Sequence, residues 1–211
     1  MNKKIIMMAA LCAVSIAASA QLEKGRLMVG GNVGYSRNSN EGPSNAAIST
    51  NTFKSNAFAI SPTAGYFIND NLAIGTNISY TNRKSNSTSY FRKESLYGVN
   101  PFIRYYLNIS SDFKFFAEFM MGASLGKSDE VSNGFIYKNK RKEYSAALAP
   151  GLAFLPAKKW SVDLRFNLIN YTNSQVKSTN PDAENNRYVG SNYFNFGLNT
   201  ISPSIGVNYH L

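Results

Sequence analysis

Five charged residues lie within segments whose other side chains are apolar, small or uncharged: Arg104, Lys114, Glu118, Asp163 and Arg165. Each segment alternates as a β-strand does, and its charged residue lies on the face opposite to the apolar residues. The five charged residues would therefore share one face of a sheet. A charge removed from water must be paired or hydrogen-bonded. We therefore expect an ion-pair network in which Glu118 and Asp163 lie close to the arginines.

His210 is the only histidine, and Ser202 and Ser204 share its face in the predicted strand. A histidine and a serine without a positioned acid do not form a catalytic constellation. The segment GASLGKS, residues 122–128, is superficially like a phosphate-binding loop. It has one residue too few between its glycines, and no helix pattern follows it. We predict no catalytic residue, no cofactor site and no metal site.

Residues 1–20 have the composition of a secretory signal peptide, with Lys3 and Lys4 ahead of an apolar stretch and Ala-Ser-Ala at the end. The only cysteine, Cys12, lies in this segment, and the Leu11 before it argues against a lipoprotein signal. The predicted mature chain, residues 21–211, therefore has no thiol for a disulfide or a metal site. It also has no window of about 20 continuous apolar residues, so a membrane could be crossed only by strands.

The clearest alternation spans residues 61–80, where apolar side chains fill every second position on both sides of a turn at Asn69-Asp70-Asn71. The same period recurs along the chain. Eight strands are predicted, at residues 26–35, 57–68, 72–80, 96–107, 113–126, 144–155, 160–169 and 193–211. In the last one the phase of the alternation shifts near Asn199-Thr200, which predicts a β-bulge.

Long polar loops are predicted after odd-numbered strands, at residues 36–52, 81–93, 127–142 and 170–191, and short turns after even-numbered ones. This asymmetry is typical of bacterial outer-membrane barrels. Aromatic residues cluster at both ends of the apolar faces, as interfacial bands do. A soluble β-sandwich or lipocalin-like barrel is the alternative, in which those rings would lie in the core. Each even-numbered strand carries one proline, at positions 62, 101, 150 and 203, and we expect a bulge at each.

Three short motifs support the same interpretation: Pro-Thr-Ala-Gly-Tyr-Phe at residues 62–67, Asn-Asp-Asn-Leu at 69–72 and the ending Ser-Ile-Gly-Val-Asn-Tyr-His-Leu. They resemble the small bacterial outer-membrane β-barrel family, which includes OmpX, the OmpA membrane domain and "porin family" barrels. The resemblance covers residues 21–211 and implies an all-β, eight-stranded antiparallel up-and-down transmembrane barrel. It also implies recognition of the C-terminal strand by the barrel-insertion machinery, although the family usually ends in an aromatic residue and this chain ends in Leu211.

An eight-stranded barrel has an interior that side chains can fill. We therefore expect a filled lumen, mobile extracellular loops and a structural or surface-interaction role in a monomer, without enzymatic activity. A narrow channel for small solutes and an accessory barrel of a secretion system are the alternatives. The formal net charge is +10, and much of the basic excess lies in predicted loops, at Arg83, Lys84, Arg92, Lys93, Lys138, Lys140, Arg141 and Lys142. For an exported barrel this charge favours outer-membrane lipid and lipopolysaccharide as partners over nucleic acid.

Overall fold

The computed structural model describes residues 22–40, 53–87, 90–132, 134–179, 189–197 and 204–211. Ten strands fill most of these ranges: β1 (Leu27–Asn40), β2 (Phe53–Asn69), β3 (Leu72–Ser87), β4 (Tyr90–Asn108), β5 (Phe113–Ser132), β6 (Phe135–Ala157), β7 (Trp160–Arg165), β8 (Ile169–Ser178), β9 (Val189–Phe196) and β10 (Ser204–His210). The predicted signal peptide, residues 1–20, lies outside the described residues. Within the described ranges, no helix is long and apolar enough to span a membrane.

The strands form one closed antiparallel ring. Neighbours in the chain pair from β1 to β6, β6 pairs with both β7 and β8, and β10 pairs with β7 on one side and β1 on the other. Because β7 with β8 and β9 with β10 each continue one strand of the ring, the ring has eight positions. Where β1 pairs with β10, closure satisfies the backbone groups that an open sheet would leave at its edges. The predicted eight-stranded barrel is confirmed.

Alternate side chains point inward and outward along every strand. In β2 the exposed positions alternate with half-buried or buried ones from Ala57 to Phe67. The outward residues of the predicted apolar faces are largely exposed, among them Ile74, Val99 and Met121, whereas Phe67, Phe116 and Glu118 are buried inside. Such an exposed apolar belt is what acyl chains cover in a membrane barrel.

The strands continue well beyond the predicted apolar segments. Residues 81–87 and 90–93 belong to β3 and β4, and residues 127–132 and 135–142 belong to β5 and β6, so the predictions of loops there are wrong. Residues 36–40 and most of the predicted loop 170–191 are likewise strand, apart from the parts that lie outside the described residues. Backbone pairing continues above the apolar belt, where most side chains on both faces are polar and no regular alternation indicates a strand.

The ring thus has two different ends. We call the end with the short turns after β2, β4 and β6 the turn end, and the opposite end, where the long hairpins close, the rim. At the turn end the Asn69 side chain accepts a hydrogen bond from the Asn71 backbone N–H at 2.9 Å, and this bond shapes the turn. At the rim the β5–β6 hairpin closes at Gly134, whose φ of 82° favours glycine.

The seventh position of the ring is interrupted at residues 166–168. The register of β6 shifts by one residue, from Gly151 opposite Arg165 to Leu148 opposite Ile169. A single alternation across the predicted strand 160–169 therefore does not hold, because Val162 is exposed before the shift and Tyr171 after it. The bulge predicted at Asn199-Thr200 lies outside the described residues.

The prolines behave differently from one another. At Pro62 and Pro101 the pairing with β3 and β5 passes over the proline and the residue before it, but the register on either side is unchanged. The bulges predicted there are wrong, because a missing N–H removes a ladder bond without inserting a residue. Pro150 does stand at the register shift, where its carbonyl accepts a bond from Phe166 N–H at 2.9 Å. Pro203 lies outside the described residues.

Cross-strand aromatic pairs mark both borders of the apolar belt. Near the turn end the ring centroids of Phe113 and Phe154, and of Trp160 and Tyr209, are each 4.9 Å apart. Toward the rim those of Tyr80 and Tyr97 are 4.8 Å apart. These contacts follow from direct opposition across neighbouring strands, and they fit the predicted interfacial bands.

An outward face that meets acyl chains predicts a depth-dependent cost for charge. Val99→Arg, in the middle of the belt, is expected to lower the free energy of unfolding by about 2–4 kcal/mol, and Ser95→Arg, on the same face of β4 nearer the rim, by about 0–1 kcal/mol. Denaturant unfolding of both variants refolded in phospholipid vesicles measures the difference. Equal costs at the two positions would contradict a lipid-facing belt.

Candidate functional site

A layer of ion pairs crosses the lumen in its half nearer the turn end. Arg104 and Glu118 are direct cross-strand partners on β4 and β5, with Arg104 Nη2 2.6 Å from Glu118 Oε2. Across the barrel, Arg104 Nη1 lies 2.5 Å from Asp163 Oδ2 on β7, and Arg165 Nη1 lies 2.7 Å from Glu118 Oε1. The structure brings these four of the five predicted residues together, and each carboxylate faces an arginine.

The fifth predicted residue, Lys114, lies apart from this layer. It is directly opposite Asn108 at the turn end of β5, and its Nζ donates a hydrogen bond to Asn108 Oδ1. Lys114 is four positions before Glu118 in β5, which is a distance of about 13 Å along the strand. Lys114 therefore contacts the end of the lumen and does not join the ion pairs.

Uncharged polar groups complete the layer. Arg104 Nη1 donates to Tyr106 Oη at 3.0 Å, and Asn208 Nδ2 donates to Asp163 Oδ2 at 2.8 Å. Ser161 Oγ donates to Asp163 Oδ1 at 3.1 Å. Arg104 and Asp163 each have both an opposite charge and a neutral partner, and Glu118 is paired with two arginines. The layer therefore meets the condition for burying charge without large loss of stability.

Small residues on β6 make room for this arrangement. Ala149, Gly151 and Ala153 face inward between the strands that carry Glu118 and Arg165. A side chain on Gly151 would overlap the ring of Phe116. That ring in turn supports the Arg104 guanidinium, whose central carbon lies 4.3 Å from its centroid.

An apolar plug fills the lumen between the ion pairs and the turn end. Phe67 and Tyr106 have ring centroids 5.6 Å apart, and Tyr106 and Phe116 have theirs 5.9 Å apart. Met28 and Leu22, the latter from the segment before β1, are buried in the same cluster. We define the plug by the residues Leu22, Met28, Phe67, Tyr106 and Phe116. The four strand residues of the plug fall in the inward phase, where the alternation predicts small or polar side chains, so the plug is not evident from the sequence.

His210 lies in this region too, with a neighbour that the sequence analysis did not identify. Its Nε2 is 3.1 Å from Ser161 Oγ, whereas Asp163 accepts its bond from Ser161 and not from the histidine. Activation of a serine requires an acid on the other ring nitrogen of the histidine. His210 Nδ1 is buried without a hydrogen-bond partner among the described residues, so this arrangement supports packing and no proton relay.

Little free space remains beside the ion pairs. A cavity of about 30 Å³ touches Asn32, Asn77, Arg104, Asp163 and Ser204. This is room for about one water molecule. Above it, Asn100 donates to Asn77 Oδ1 at 2.7 Å and to Ser79 Oγ at 3.1 Å, which extends the polar packing.

A wider vestibule of about 510 Å³ opens on the rim side. Glu94 lies at its centre, with Arg141 at 2.7 Å, Arg92 at 3.5 Å and Arg83 at 4.0 Å, and Arg141 also contacts Glu143 at 2.7 Å. The lumen is thus open at the rim and filled at the turn end. Within the described ranges, no three carboxylate or imidazole groups come together as a metal site would require.

The chain was compared with known proteins. A family model described as outer membrane protein beta-barrel domain matches residues 6–209. The structure of the outer membrane protein OprG from Pseudomonas aeruginosa is similar with a TM-score of 0.51 at 12% identity, covering 92% of this chain and 99% of that chain. No curated protein sequence matches this chain.

Two further solved structures are more distantly similar. Ail, the attachment invasion locus protein of Yersinia pestis, has a TM-score of 0.44 at 15% identity, covering 89% of this chain and 99% of that one. Neisserial surface protein A has a TM-score of 0.39 at 17% identity, covering 88% of this chain and 97% of that one. The likeness to OprG supports the fold, and the family match extends over nearly the whole chain. The chain belongs to the outer membrane protein beta-barrel domain family and is a protein of the bacterial outer membrane.

Proposed function

We propose that this protein is a non-conducting barrel with a structural or surface-interaction role in the outer membrane. The observation that supports the proposal is the filling of the lumen at the turn end by the ion-pair layer and the plug. Short turns are periplasmic in bacterial barrels. The filled half is therefore the periplasmic one, and the vestibule opens to the outside.

Among the residues that the structure describes, the ion-pair layer and the plug leave no continuous path wide enough for a hydrated ion. Arg104 spans the lumen from β4 to β7, and the cavity beside it has a volume of only about 30 Å³. Below it, Phe67, Tyr106 and Phe116 are each at most 1% exposed. An ion would have to displace a paired arginine and then cross an apolar layer, both of which are costly.

A conductance measurement tests this proposal. Wild-type protein refolded into planar lipid bilayers is expected to give no discrete current steps, because the plug excludes hydrated ions. The variant Phe67→Ala, Arg104→Ala, Tyr106→Ala and Phe116→Ala removes both the rings of the plug and the arginine that spans the lumen. It is expected to conduct, and it serves as the positive control. A heat-dependent shift in gel migration establishes that both proteins are folded. Discrete steps from folded wild-type protein would contradict the proposal.

A solute-binding or transport role is the second candidate, and the vestibule favours it. Its charged lining of Arg83, Glu94, Arg141 and Glu143 is joined by Thr172 and Ser174, groups that suit a polar solute. Such a role would require the plug to move. The third alternative, an accessory barrel of a secretion system, predicts partner subunits that co-purify with the protein.

The C-terminal strand supports a further expectation about assembly. Ile205, Val207 and Leu211 are exposed in alternation at the end of the chain, with Asn208 and His210 buried between them. This is the pattern by which we expect the barrel-insertion machinery to recognise the protein. The ring closes through the pairing of β1 with β10 and needs no second copy to complete it, which agrees with a monomer.

A further inference from the structure

On the rim half of β3 to β6, the arginines and the lysines lie on opposite faces of the sheet. The arginines Arg83, Arg92 and Arg141 point inward and surround Glu94. The lysines Lys84, Lys93, Lys127, Lys140 and Lys142 occupy the outward phase, which is the phase of the exposed apolar residues Tyr97, Leu125 and Tyr144.

The outward lysines are neighbours across the strands. Lys84 is directly opposite Lys93, and Lys127 is directly opposite Lys140. Like charges at opposite positions destabilise a sheet. The acid in this area is Asp129, which lies opposite Lys93 on one side and Lys138 on the other. The excess of positive charge favours an anion that binds on the outer surface of the sheet, in contact with lysines of neighbouring strands.

The lysines border a depression on the outer surface of β4, β5 and β6. It has a volume of about 550 Å³. Four lysines and one acid line its upper part, with Tyr97 and Leu125 toward the membrane: Lys93, Lys127, Asp129, Lys140 and Lys142. Tyr97 and Leu125 are 62% and 63% exposed. Successive outward residues of a strand are about 7 Å apart, so Lys127 lies one such step above Leu125. The depression therefore joins a cationic upper part to an apolar lower part.

This polarity matches one class of ligand, an amphiphile with phosphate groups above acyl chains. Lysine suits the position, because its apolar stem can lie along the belt while its ammonium group reaches the interface. The barrel stands in the outer membrane, and its rim faces the outer leaflet. We propose that the surface formed by Lys93, Lys127, Lys140 and Lys142 binds the phosphates of a lipopolysaccharide molecule whose acyl chains lie against Tyr97 and Leu125. This site is independent of whether the lumen conducts.

Binding of two lipopolysaccharide preparations, one intact and one chemically dephosphorylated, tests the proposal. The proteins are refolded in detergent, and binding is measured by titration at low ionic strength. The variant Lys93→Gln, Lys127→Gln and Lys140→Gln removes three positive charges from the surface. The control variant Lys24→Gln, Lys158→Gln and Lys159→Gln removes three from exposed positions at the turn end.

Wild type and the control variant are expected to bind intact lipopolysaccharide equally. The surface variant is expected to bind about 100-fold more weakly, since each lysine contributes about fivefold in affinity for an anionic surface. Dephosphorylation is expected to weaken wild-type binding to a similar extent and to leave the surface variant nearly unchanged. Equal losses in the two triple variants would overturn the proposal in favour of a net-charge effect, and so would wild-type binding that does not depend on phosphate.

Two further measurements keep these outcomes interpretable. Heat-dependent gel migration establishes that each variant is folded, and Lys127→Glu alone replaces the triple variant if that one does not fold. Vesicles of phosphatidylglycerol give the affinity for a simple anionic lipid. Binding to them as tight as to lipopolysaccharide would overturn the assignment to a phosphorylated lipid of the outer leaflet.

Discussion

Replacing Glu118 with alanine is expected to lower the free energy of unfolding by about 3–5 kcal/mol. Glu118 accepts bonds from two arginines at once, at 2.6 Å from Arg104 and 2.7 Å from Arg165. Its removal leaves positive charge in the lumen with less compensation, and that uncompensated charge is the source of the cost. Denaturant unfolding in phospholipid vesicles, followed by the fluorescence of the single tryptophan, Trp160, measures the change.

The matched control is Asp129→Ala, which removes an acid from the outward face of the same strand. Asp129 is exposed, so we expect a change within about 0.5 kcal/mol. The double variant Glu118→Ala and Arg165→Ala is expected to be less destabilised than the sum of the two single variants, because the two residues contact each other. An unfolding midpoint of Glu118→Ala equal to that of wild type would contradict the ion-pair layer.

The second large effect is expected from Phe116→Ala, at about 3–5 kcal/mol. Phe116 is fully buried in the lumen, in contact with Tyr106 and beneath the Arg104 guanidinium. Its removal leaves a cavity that the surrounding ring of strands cannot close, since backbone hydrogen bonds hold that ring at a fixed width. Unfolding in phospholipid vesicles, measured as for Glu118, gives the free energy.

Phe119→Ala is the internal comparison, three residues away on the same strand but on the opposite face. Phe119 is 44% exposed in the isolated chain and faces the acyl chains. Lipid can fill the space that this ring vacates, so the cavity contribution is absent and the cost is expected to be clearly smaller. Similar costs for Phe116→Ala and Phe119→Ala would mean that the lumen is not tightly packed.

The barrel could be predicted from the sequence because lipid imposes a strict rule on one face of each strand. Val99, Ile103 and Tyr105 alternate with inward residues, and a closed ring is the arrangement that then satisfies the backbone. This rule does not apply to the parts of the strands above the apolar belt, because they do not contact acyl chains. In residues 127–130 and 138–142 both faces are polar, so the sequence has no alternation there that would indicate paired strands.

The ion-pair layer could be predicted only in part. Charge at an inward position of an apolar strand is a strong signal, which indicated Arg104, Glu118, Asp163 and Arg165. The alternation indicates which face a charged residue lies on, but it does not indicate how deep in the membrane the residue lies. For this reason the sequence predicts Lys114 in the same network as residues that lie nearer the middle of the membrane. An apolar residue in the inward phase looks like an irregularity of the alternation. The sequence therefore does not predict that Phe67, Tyr106 and Phe116 form a buried cluster.

The length of the strands has a consequence for how other molecules meet this protein. The strand β6 has 23 residues, which at about 3.3 Å per residue and a tilt of about 35–45° gives a height of about 55 Å. An apolar band is about 25 Å tall, so a collar of hydrogen-bonded ribbon stands above the bilayer. This collar is already ordered in the free protein. A partner that binds to it therefore causes little loss of conformational entropy in the barrel.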